Sequence, residues 1–326
     1  LIISGKQRSL PIRLLAPASL RELGERLSGD VGSWSDVLSL SGYGHVRNAC
    51  LLAAALTHAE AAVLIDDDEI FELPDFLNIV RSGLGGSFGG SPVRILAGWY
   101  MNADGGYLLN KPPAAWSKSW PESREMDRAF EQFIGAPGRY VRTPFAFGGN
   151  LTIHREVYST VPFDIGITRG EDIDYLIMAR MLGIETVLDN ALHIRHLPPP
   201  KSHPTWMRFR QDALRFIRER AKMAAARISD DLASVSPDDL DPYPGFFLRD
   251  DLPVRIRRTA EELAMYYRGR GEGDAAIEAE RTVEICEEAE KDNHSALTEW
   301  LQLRERWRQL ITLVEQGDFG DVLERA

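Results

Sequence analysis

Short apolar runs alternate with amphipathic stretches over the first 200 residues, a pattern that predicts strands alternating with helices. Apolar residues at helical spacing predict helices over 20–27, 47–58 and 171–183, and short apolar runs predict strands over 11–16, 61–65, 93–100 and 187–194. The run over 61–65 is unbroken and ends abruptly in acid, which is typical of a buried central strand in a parallel sheet. The alternation favours an α/β domain.

The pattern changes after the prolines at 198–200, where strand-like runs give way to longer amphipathic stretches. Helices are predicted over 206–226, 255–267, 274–291 and 295–315, with an acidic, proline-containing connector over 229–253. We therefore expect an α/β domain over 1–228 and a helical region over 229–326. A helical region of this kind offers a surface through which two copies of the chain can associate.

Composition and charge narrow the class of protein. The 326 residues carry 38 basic and 49 acidic side chains and a formal charge of −11, which argues against nucleic acid as a partner. No apolar run approaches the roughly 18–20 residues needed to span a bilayer, and no signal-like segment opens the chain. Cys50 and Cys286 show no CxxC spacing, which favours a reducing compartment, so a cytoplasmic location is expected.

Four adjacent acids, Asp66, Asp67, Asp68 and Glu69, follow the apolar run over 61–65 directly. Neighbouring carboxylates repel one another unless a cation neutralises them. Carboxylate oxygens are the ligands that Mg²⁺ and Mn²⁺ prefer, and ligands bind at the carboxyl ends of strands in open α/β sheets. The turn is therefore a candidate metal site. A solvated acidic turn or a helix cap is the alternative.

Two later segments add candidate chemistry. Glu171 and Asp172 lie at the start of a predicted helix, where a carboxylate either caps the helix or acts as a general base towards an attacking hydroxyl. His193 and His196 lie near the end of the strand predicted over 187–194. Because side chains alternate along a strand, only one of the two histidines is expected to reach a metal ion.

Two further features have an ordinary structural alternative. The glycine-containing segment over 42–48 leads into a helix and would place Arg47 near a phosphate or a sugar ring, or would be a plain turn. Trp116 and Trp120 lie in an irregular segment and would either stack on a sugar ring or belong to the core.

In their order along the chain, these features resemble the GT-A glycosyltransferases, and in particular family 2. The matching segments are 42–48 with its Arg-Asn pair, Asp66-x-Asp68, Gly148-Gly149-Asn150 and Gly170-Glu171-Asp172. The His-x-x-His spacing is similar to that of polypeptide N-acetylgalactosaminyltransferases, in which the second histidine binds the metal, so the match falls on His196. The resemblance spans roughly residues 11–200.

The resemblance implies a GT-A nucleotide-diphospho-sugar transferase fold, a Rossmann-like mixed sheet flanked by helices, here with a C-terminal helical extension. It implies that Asp68 and His196 bind Mn²⁺ or Mg²⁺ and that Asp172, beside Glu171, is the base of an inverting transfer. The residues expected to hold a UDP- or GDP-sugar donor are Arg47, Asn48, Asp66, Asp67 and, on the loop after the prolines, Lys201. Those expected to hold a sugar or small-molecule acceptor are Gly149, Asn150, Trp116 and Trp120.

One departure from the family pattern leaves the nucleotide open. The family begins with a strand and turn that cradle the base, and residues 1–4 lie too close to the next predicted strand to supply them. Two competing interpretations remain. A haloacid-dehalogenase-type phosphatase also carries Asp-x-Asp after an apolar strand, but needs its later acids at a strand end. A non-catalytic nucleotide-sugar-binding module would show the same cluster without turnover.

Overall fold

The computed structural model of the protein describes residues 12–27, 34–198 and 203–325; residues 1–4 and Lys201, for which expectations are given above, lie outside them. The strands of this part of the chain are β1 (Arg13–Leu14), β2 (Ala61–Leu64), β3 (Glu69–Ile70), β4 (Ser87–Phe88), β5 (Ser91–Pro92), β6 (Ile95–Met101), β7 (Tyr140–Arg142), β8 (Leu151–His154), β9 (Thr186–His196) and β10 (Glu324–Arg325). The α-helices are α1 (Pro17–Leu27), α2 (Tyr43–Leu56), α3 (Phe76–Gly83), α4 (Glu122–Phe133), α5 (Arg155–Tyr158), α6 (Glu171–Met181), α7 (Thr205–Ala226), α8 (Leu252–Gly269), α9 (Gly273–Asp292) and α10 (Ala296–Gln316).

A mixed sheet forms the centre of the molecule, with helices packed around it. Its strand order is β2-β8-β6-β9-β3, and β7 pairs with β9 off this path. Strands β6 and β9 are parallel, whereas the other pairs are antiparallel. The expectation of an α/β fold with a mixed sheet flanked by helices is confirmed.

The strand before the acidic turn is not the central parallel strand that its sequence predicts. Strand β2 pairs antiparallel with β8, and it ends the order of the described strands. Both of its faces nevertheless pack on apolar cores, because Ala62 and Leu64 join the main core and the partly buried Val63 and Ile65 pack against a second core on the other face. An apolar run without alternation therefore indicates that both faces of a strand contact apolar side chains. The prediction that this strand pairs with parallel strands was wrong, because β2 pairs antiparallel with β8.

The strand predicted over 11–16 also differs from its expected place. Strand β1 is only Arg13–Leu14 and pairs antiparallel with β10, near the other end of the chain, in a separate two-stranded sheet. It thus ties the beginning and end of the described chain together and adds no strand to the central sheet.

The C-terminal helices share their core with the α/β part. The indole N–H of Trp300 donates to the carbonyl oxygen of Pro162 at 3.3 Å, and that of Trp307 donates to the carbonyl oxygen of Tyr158 at 2.7 Å. A single apolar cluster extends from α1 to the last turn before β10. The division at residue 228 and the association of two copies through these helices stay predictions. No helix in the described part of the chain has both the length and the hydropathy needed to cross a bilayer.

The sheet topology gathers several chain segments at one end of the sheet. The end of β2 pairs with the beginning of β8, where Leu64 lies opposite Leu151. Strands β6 and β9 run in the opposite direction to β8 and parallel to each other, so they end beside this point. The acidic turn after β2, the glycines before β8, and the last residues of β6 and β9 therefore meet.

Candidate active site

The acidic turn after β2 folds back on itself and gathers three carboxylates. One oxygen from each of Asp66, Asp68 and Glu69 lies within 4.8 Å of the others. The turn is closed by the backbone N–H of Asp66, which donates to Oε2 of Glu69 at 2.8 Å. Oxygen ligands at this spacing fit Mg²⁺ or Mn²⁺. We refer to these three residues as the carboxylate triad.

Glu69 is the member of the triad to which the sequence assigned no role. It begins β3, which pairs with β9 so that Glu69 lies opposite His196. Burial raises the pKa of Glu69 to about 7, and the charges of Asp66 and Asp68 act in the same direction. Its Oε1 is buried and accepts no hydrogen bond from the described residues. A buried carboxylate oxygen without a partner is costly, and a bound cation would satisfy it.

Gly149 leaves the space that the Glu69 carboxylate occupies. A Cβ at this position would collide with Oε1 of Glu69 and would lie 2.5 Å from both the carboxyl carbon and Oε2, closer than side chains approach one another. The backbone N–H of Gly149 donates to the hydroxyl of Tyr100 at 2.9 Å, and this hydroxyl donates to Oδ2 of Asp66 at 3.4 Å. The glycine before β8 therefore positions the triad from behind.

The structure brings together the two residues expected to bind metal. Nε2 of His196 lies 3.3 Å from Oδ2 of Asp68, and the backbone N–H of Leu197 donates to the carbonyl oxygen of Asp68 at 2.9 Å. Two ligands at right angles around one Mg²⁺ are about 3.0 Å apart, so this separation fits a shared ion. His193 faces elsewhere and packs on Trp99 with 5.0 Å between ring centroids, as the strand alternation predicts.

Arg47 connects the carboxylate triad to the beginning of α6. Its Nη1 lies 2.8 Å from Oδ1 of Asp66, and its Nε donates to Oε1 of Glu171 at 3.2 Å. The next residue, Asn48, faces the core instead, where its side chain donates to the carbonyl oxygen of Phe163 and accepts from the N–H of the same residue. Arg47 thus faces the acidic turn and its role towards a donor stays a prediction, whereas Asn48 anchors α2.

Asp172 lies in the first turn of α6 with both carboxylate oxygens hydrogen-bonded. The backbone N–H of Gly148 donates to Oδ2 at 3.0 Å, and that of Ile173 donates to Oδ1 at 2.9 Å. Burial raises the pKa of Asp172, and it also raises the pKa of Glu171, to which the charge of Asp172 adds. A carboxylate with a raised pKa, held rigidly beside a cavity, suits general base catalysis.

A cleft of about 1070 Å³ joins these groups. Asp66, Asp67, Asp68 and His196 line one part of it, and Glu171 and Asp172 line another. Ligand pockets for drug-sized molecules are usually about 300–1,000 Å³, so this cleft has room for a nucleotide sugar together with part of a second substrate.

The residues expected to bind an acceptor do not line this cleft. The Asn150 side chain is buried and donates to the carbonyl oxygen of Trp99 at 3.2 Å. Trp120 is 2% exposed and packs on phenylalanines of α7 and of the segment after it, and Trp116 is partly buried against the same core. Gly149 lies behind the Glu69 carboxylate, as described above. Other polar side chains line the cleft instead.

No family model and no curated protein matches the chain. Among solved structures, the chain is similar to the mannosyltransferase PcManGT from Pyrobaculum calidifontis in complex with GDP-Man and Mn²⁺. The two chains are 17% identical, the match covers 88% of this chain and 69% of the mannosyltransferase chain, and the TM-score is 0.37. At that identity and TM-score no residue role is transferred from one chain to the other.

Proposed function

We propose that this protein is a metal-dependent glycosyltransferase that moves a sugar from a nucleoside-diphosphate sugar to an acceptor hydroxyl with inversion. One observation carries the proposal: Asp66 and Asp68 of the carboxylate triad and the carboxylate of Asp172 line a single cleft large enough for a nucleotide sugar. The triad suits a metal–diphosphate complex, and Asp172 suits the removal of a proton from an attacking hydroxyl.

The donor would lie at the end of the cleft where β2 and α2 meet. Asp66, Asp68 and Glu69, with His196 beside them, are the residues that would hold Mn²⁺ or Mg²⁺. Bound there, the metal would offset negative charge on the diphosphate leaving group. The beginning of α2 faces the cleft at Gly42 and would offer backbone N–H groups to a phosphate.

Asp172 would take the proton in the transfer step. The acceptor oxygen forms a bond to the anomeric carbon of the donor, and its proton passes to the Asp172 carboxylate. The bond from that carbon to the diphosphate breaks, and its electron pair leaves with the diphosphate. The Gly148 N–H, which donates to Oδ2 of Asp172 at 3.0 Å, fixes the orientation of the base.

The phosphatase interpretation fits the structure less well. It needs the later acids at the end of a strand, whereas Glu171 and Asp172 lie in the first turn of α6. A binding module without catalysis would keep the same backbone contacts to Asp172, because a carboxylate in the first turn of a helix also stabilises the helix. Turnover distinguishes these interpretations, as described in the Discussion.

Thermal shift tests the donor site directly. We expect UDP or GDP with Mn²⁺ to raise the melting temperature of the wild type and to leave that of Asp68→Ala unchanged. Asp230→Asn serves as a control, because Asp230 is exposed and far along the chain from the triad. If no nucleoside diphosphate with Mn²⁺ raises the melting temperature of the wild type, the proposed donor site is wrong.

A further inference from the structure

The cleft is also lined by polar side chains that the proposed donor site and base leave unassigned. We define the far compartment by the cleft-lining residues Glu122, Arg169, Asp212, Arg215 and Tyr243. They come from four different places along the chain: the start of α4, the residue before the turn into α6, helix α7, and the segment after it. No sequence motif named above includes Glu122, Asp212, Arg215 or Tyr243.

A charged pair faces this compartment. Nη1 of Arg169 lies 2.5 Å from Oδ2 of Asp212, with 36% of the Arg169 side chain exposed and 4% of the Asp212 side chain. A guanidinium offers only hydrogen-bond donors and a carboxylate only acceptors, whereas a hydroxyl group donates and accepts. The pair therefore complements neighbouring hydroxyl groups on one molecule.

A second cation lies deeper. The Arg215 side chain is only 2% exposed, and it donates a hydrogen bond to the hydroxyl of Tyr243 at 2.9 Å. Its Nε lies 3.6 Å from Oε1 of the buried Glu219, so the guanidinium is held in place from behind. Arg215 thus brings a second, rigidly held positive charge to the wall of the far compartment.

Apolar side chains form another wall of the same cleft. Met126, Phe130 and Phe147 line it, and the rings of Phe130 and Phe147 pack at 5.2 Å between centroids. Ligand sites of this type combine apolar surface with a few placed polar groups. A sugar ring has both kinds of surface, because its C–H face is apolar and its edge carries hydroxyl groups.

The far compartment also adjoins the proposed base. Arg169 precedes Gly170, which has a left-handed conformation with φ of 75° and leads into Glu171 and Asp172. Gly170 has no side chain where the guanidinium of Arg215 packs against it. A molecule held by Arg169 and Arg215 therefore lies within the same cleft as the Asp172 carboxylate.

We propose that the far compartment is the acceptor subsite and that it takes a saccharide, bound through its hydroxyl groups by Arg169 and Asp212. This proposal rests on the proposed glycosyltransferase function. It assigns the acceptor to side chains other than Gly149, Asn150, Trp116 and Trp120, which the structure places outside the cleft.

Saturation-transfer NMR tests the proposal without turnover. The probes are methyl α-glucoside, methyl α-mannoside, methyl β-galactoside, maltose and cellobiose, added to protein loaded with diamagnetic Mg²⁺ and the nucleoside diphosphate that shifts its melting temperature. A parallel sample contains a serine- and threonine-rich peptide mixture. We expect a saccharide signal from the wild type and no peptide signal. Peptide binding, or the absence of any saccharide signal from nucleotide-loaded wild type, overturns the proposal.

Variants of Arg169 and Asp212 test whether the saccharide binds in the far compartment. We expect Arg169→Gln and Asp212→Asn to weaken saccharide binding about tenfold or more, because each removes a hydrogen bond to a charged group. Arg268→Gln is the matched control, since Arg268 forms a similar pair with Glu280 at 2.6 Å on the exposed faces of α8 and α9. Wild-type saccharide affinity in both cleft variants overturns the assignment.

The donor response separates this proposal from the proposed function. Each variant is first checked for the nucleotide-dependent rise in melting temperature, which we expect to persist in Arg169→Gln and so shows that the variant is folded. Arg169→Lys is the second variant, because lysine keeps the positive charge but lacks the planar guanidinium with its several N–H donors. It should bind saccharide with an affinity between those of the wild type and Arg169→Gln. If nucleoside diphosphates do not raise the melting temperature of the wild type, the proposed glycosyltransferase function is wrong. If the wild type binds a nucleoside diphosphate but no saccharide, only the proposed acceptor subsite is wrong.

Discussion

Replacing Gly149 by alanine would place a methyl group where the Glu69 carboxylate now lies. The new Cβ would be 2.5 Å from the carboxyl carbon and from Oε2 of Glu69 and closer still to Oε1, and real Cβ atoms essentially never approach a neighbour within 3.0 Å. The carboxyl carbon and Oε2 must therefore move by at least about 0.5 Å, the difference between the two distances, and Oε1 must move further. Metal–ligand distances tolerate about 0.2 Å, so this displacement should disrupt the carboxylate triad.

The expected cost falls on metal binding more than on folding. Disturbing the residues that orient metal ligands typically lowers affinity about 10–100-fold, or about 1.4–2.7 kcal/mol. The Gly149 N–H that donates to Tyr100 is retained, so the strand should keep its place. Calorimetric titration with Mn²⁺, in the presence of the bound nucleoside diphosphate, measures the effect.

The matched control is Gly269→Ala, since a Cβ at Gly269 would have nothing within 4 Å. We expect this variant to bind Mn²⁺ with wild-type affinity. The melting temperature of each variant without metal reports whether the fold is intact. A folded Gly149→Ala protein with wild-type Mn²⁺ affinity would refute the argument that Glu69 is a metal ligand held in place by Gly149.

Three further predictions concern the base, the anchor of α2 and a buried acid. Asp172→Asn should keep nucleotide binding by thermal shift but lower the transfer rate by about 10²–10⁴-fold, and an unchanged rate would exclude Asp172 as the base. Asn48→Ala should lower the free energy of unfolding by about 2–3 kcal/mol in urea, because two buried backbone groups of Phe163 lose their partner; a loss below about 0.5 kcal/mol would contradict the anchor role. Burial raises the pKa of Glu219 to about 8 from an ordinary 4.5, so its stabilising effect is full below pH 4.5 and is lost as the pH rises through 8. The free energy of unfolding should therefore fall more between pH 5 and 8.5 in the wild type than in Glu219→Gln, by about 1.4 kcal/mol for each unit by which folding raises the pKa of Glu219. Equal falls in the two proteins would show that the pKa of Glu219 is not raised.

The sequence predicts where the helices and strands of this fold lie better than it predicts which strands pair with each other. Periodicity located helices such as α2 and α6 and the strand before the acidic turn, because each has a buried face that is visible within a few residues. The antiparallel pairing of β2 with β8 joins residues about 90 positions apart, and apolar spacing carries no information on strand direction. Burial of both faces was predictable, whereas the partner strand was not.

In the candidate site too, some residues could be predicted from short motifs and others depend on strand pairing. Asp68 and His196 were expected together from an ordered set of motifs, and the structure places them 3.3 Å apart. Glu69 was adjacent in sequence, yet its part in the triad depends on the pairing of β3 with β9 and on the space left by Gly149. Those are long-range contacts that the spacing of a short motif does not report.

Trp120 and Asn48 show how a local pattern can suggest a role that packing does not support. An aromatic residue in an irregular loop suggests stacking on a sugar, but Trp120 packs on Phe209, Phe216 and Phe247, two of them from α7. Asn48 follows Arg47 in the motif, but successive helical residues point in different directions. Arg47 therefore faces the cleft, whereas Asn48 faces the core.

Nucleotide-sugar turnover tests the central claim most directly. Wild-type protein is incubated with a panel of UDP- and GDP-sugars, the saccharide probes named above and Mn²⁺ or Mg²⁺, and released nucleoside diphosphate is measured by chromatography. The account predicts release from at least one donor, dependent on Mn²⁺ or Mg²⁺, abolished by Asp68→Ala and lowered about 10²–10⁴-fold by Asp172→Asn. Release of no nucleoside diphosphate, combined with hydrolysis of an aryl phosphate that depends on the same carboxylates, would contradict it.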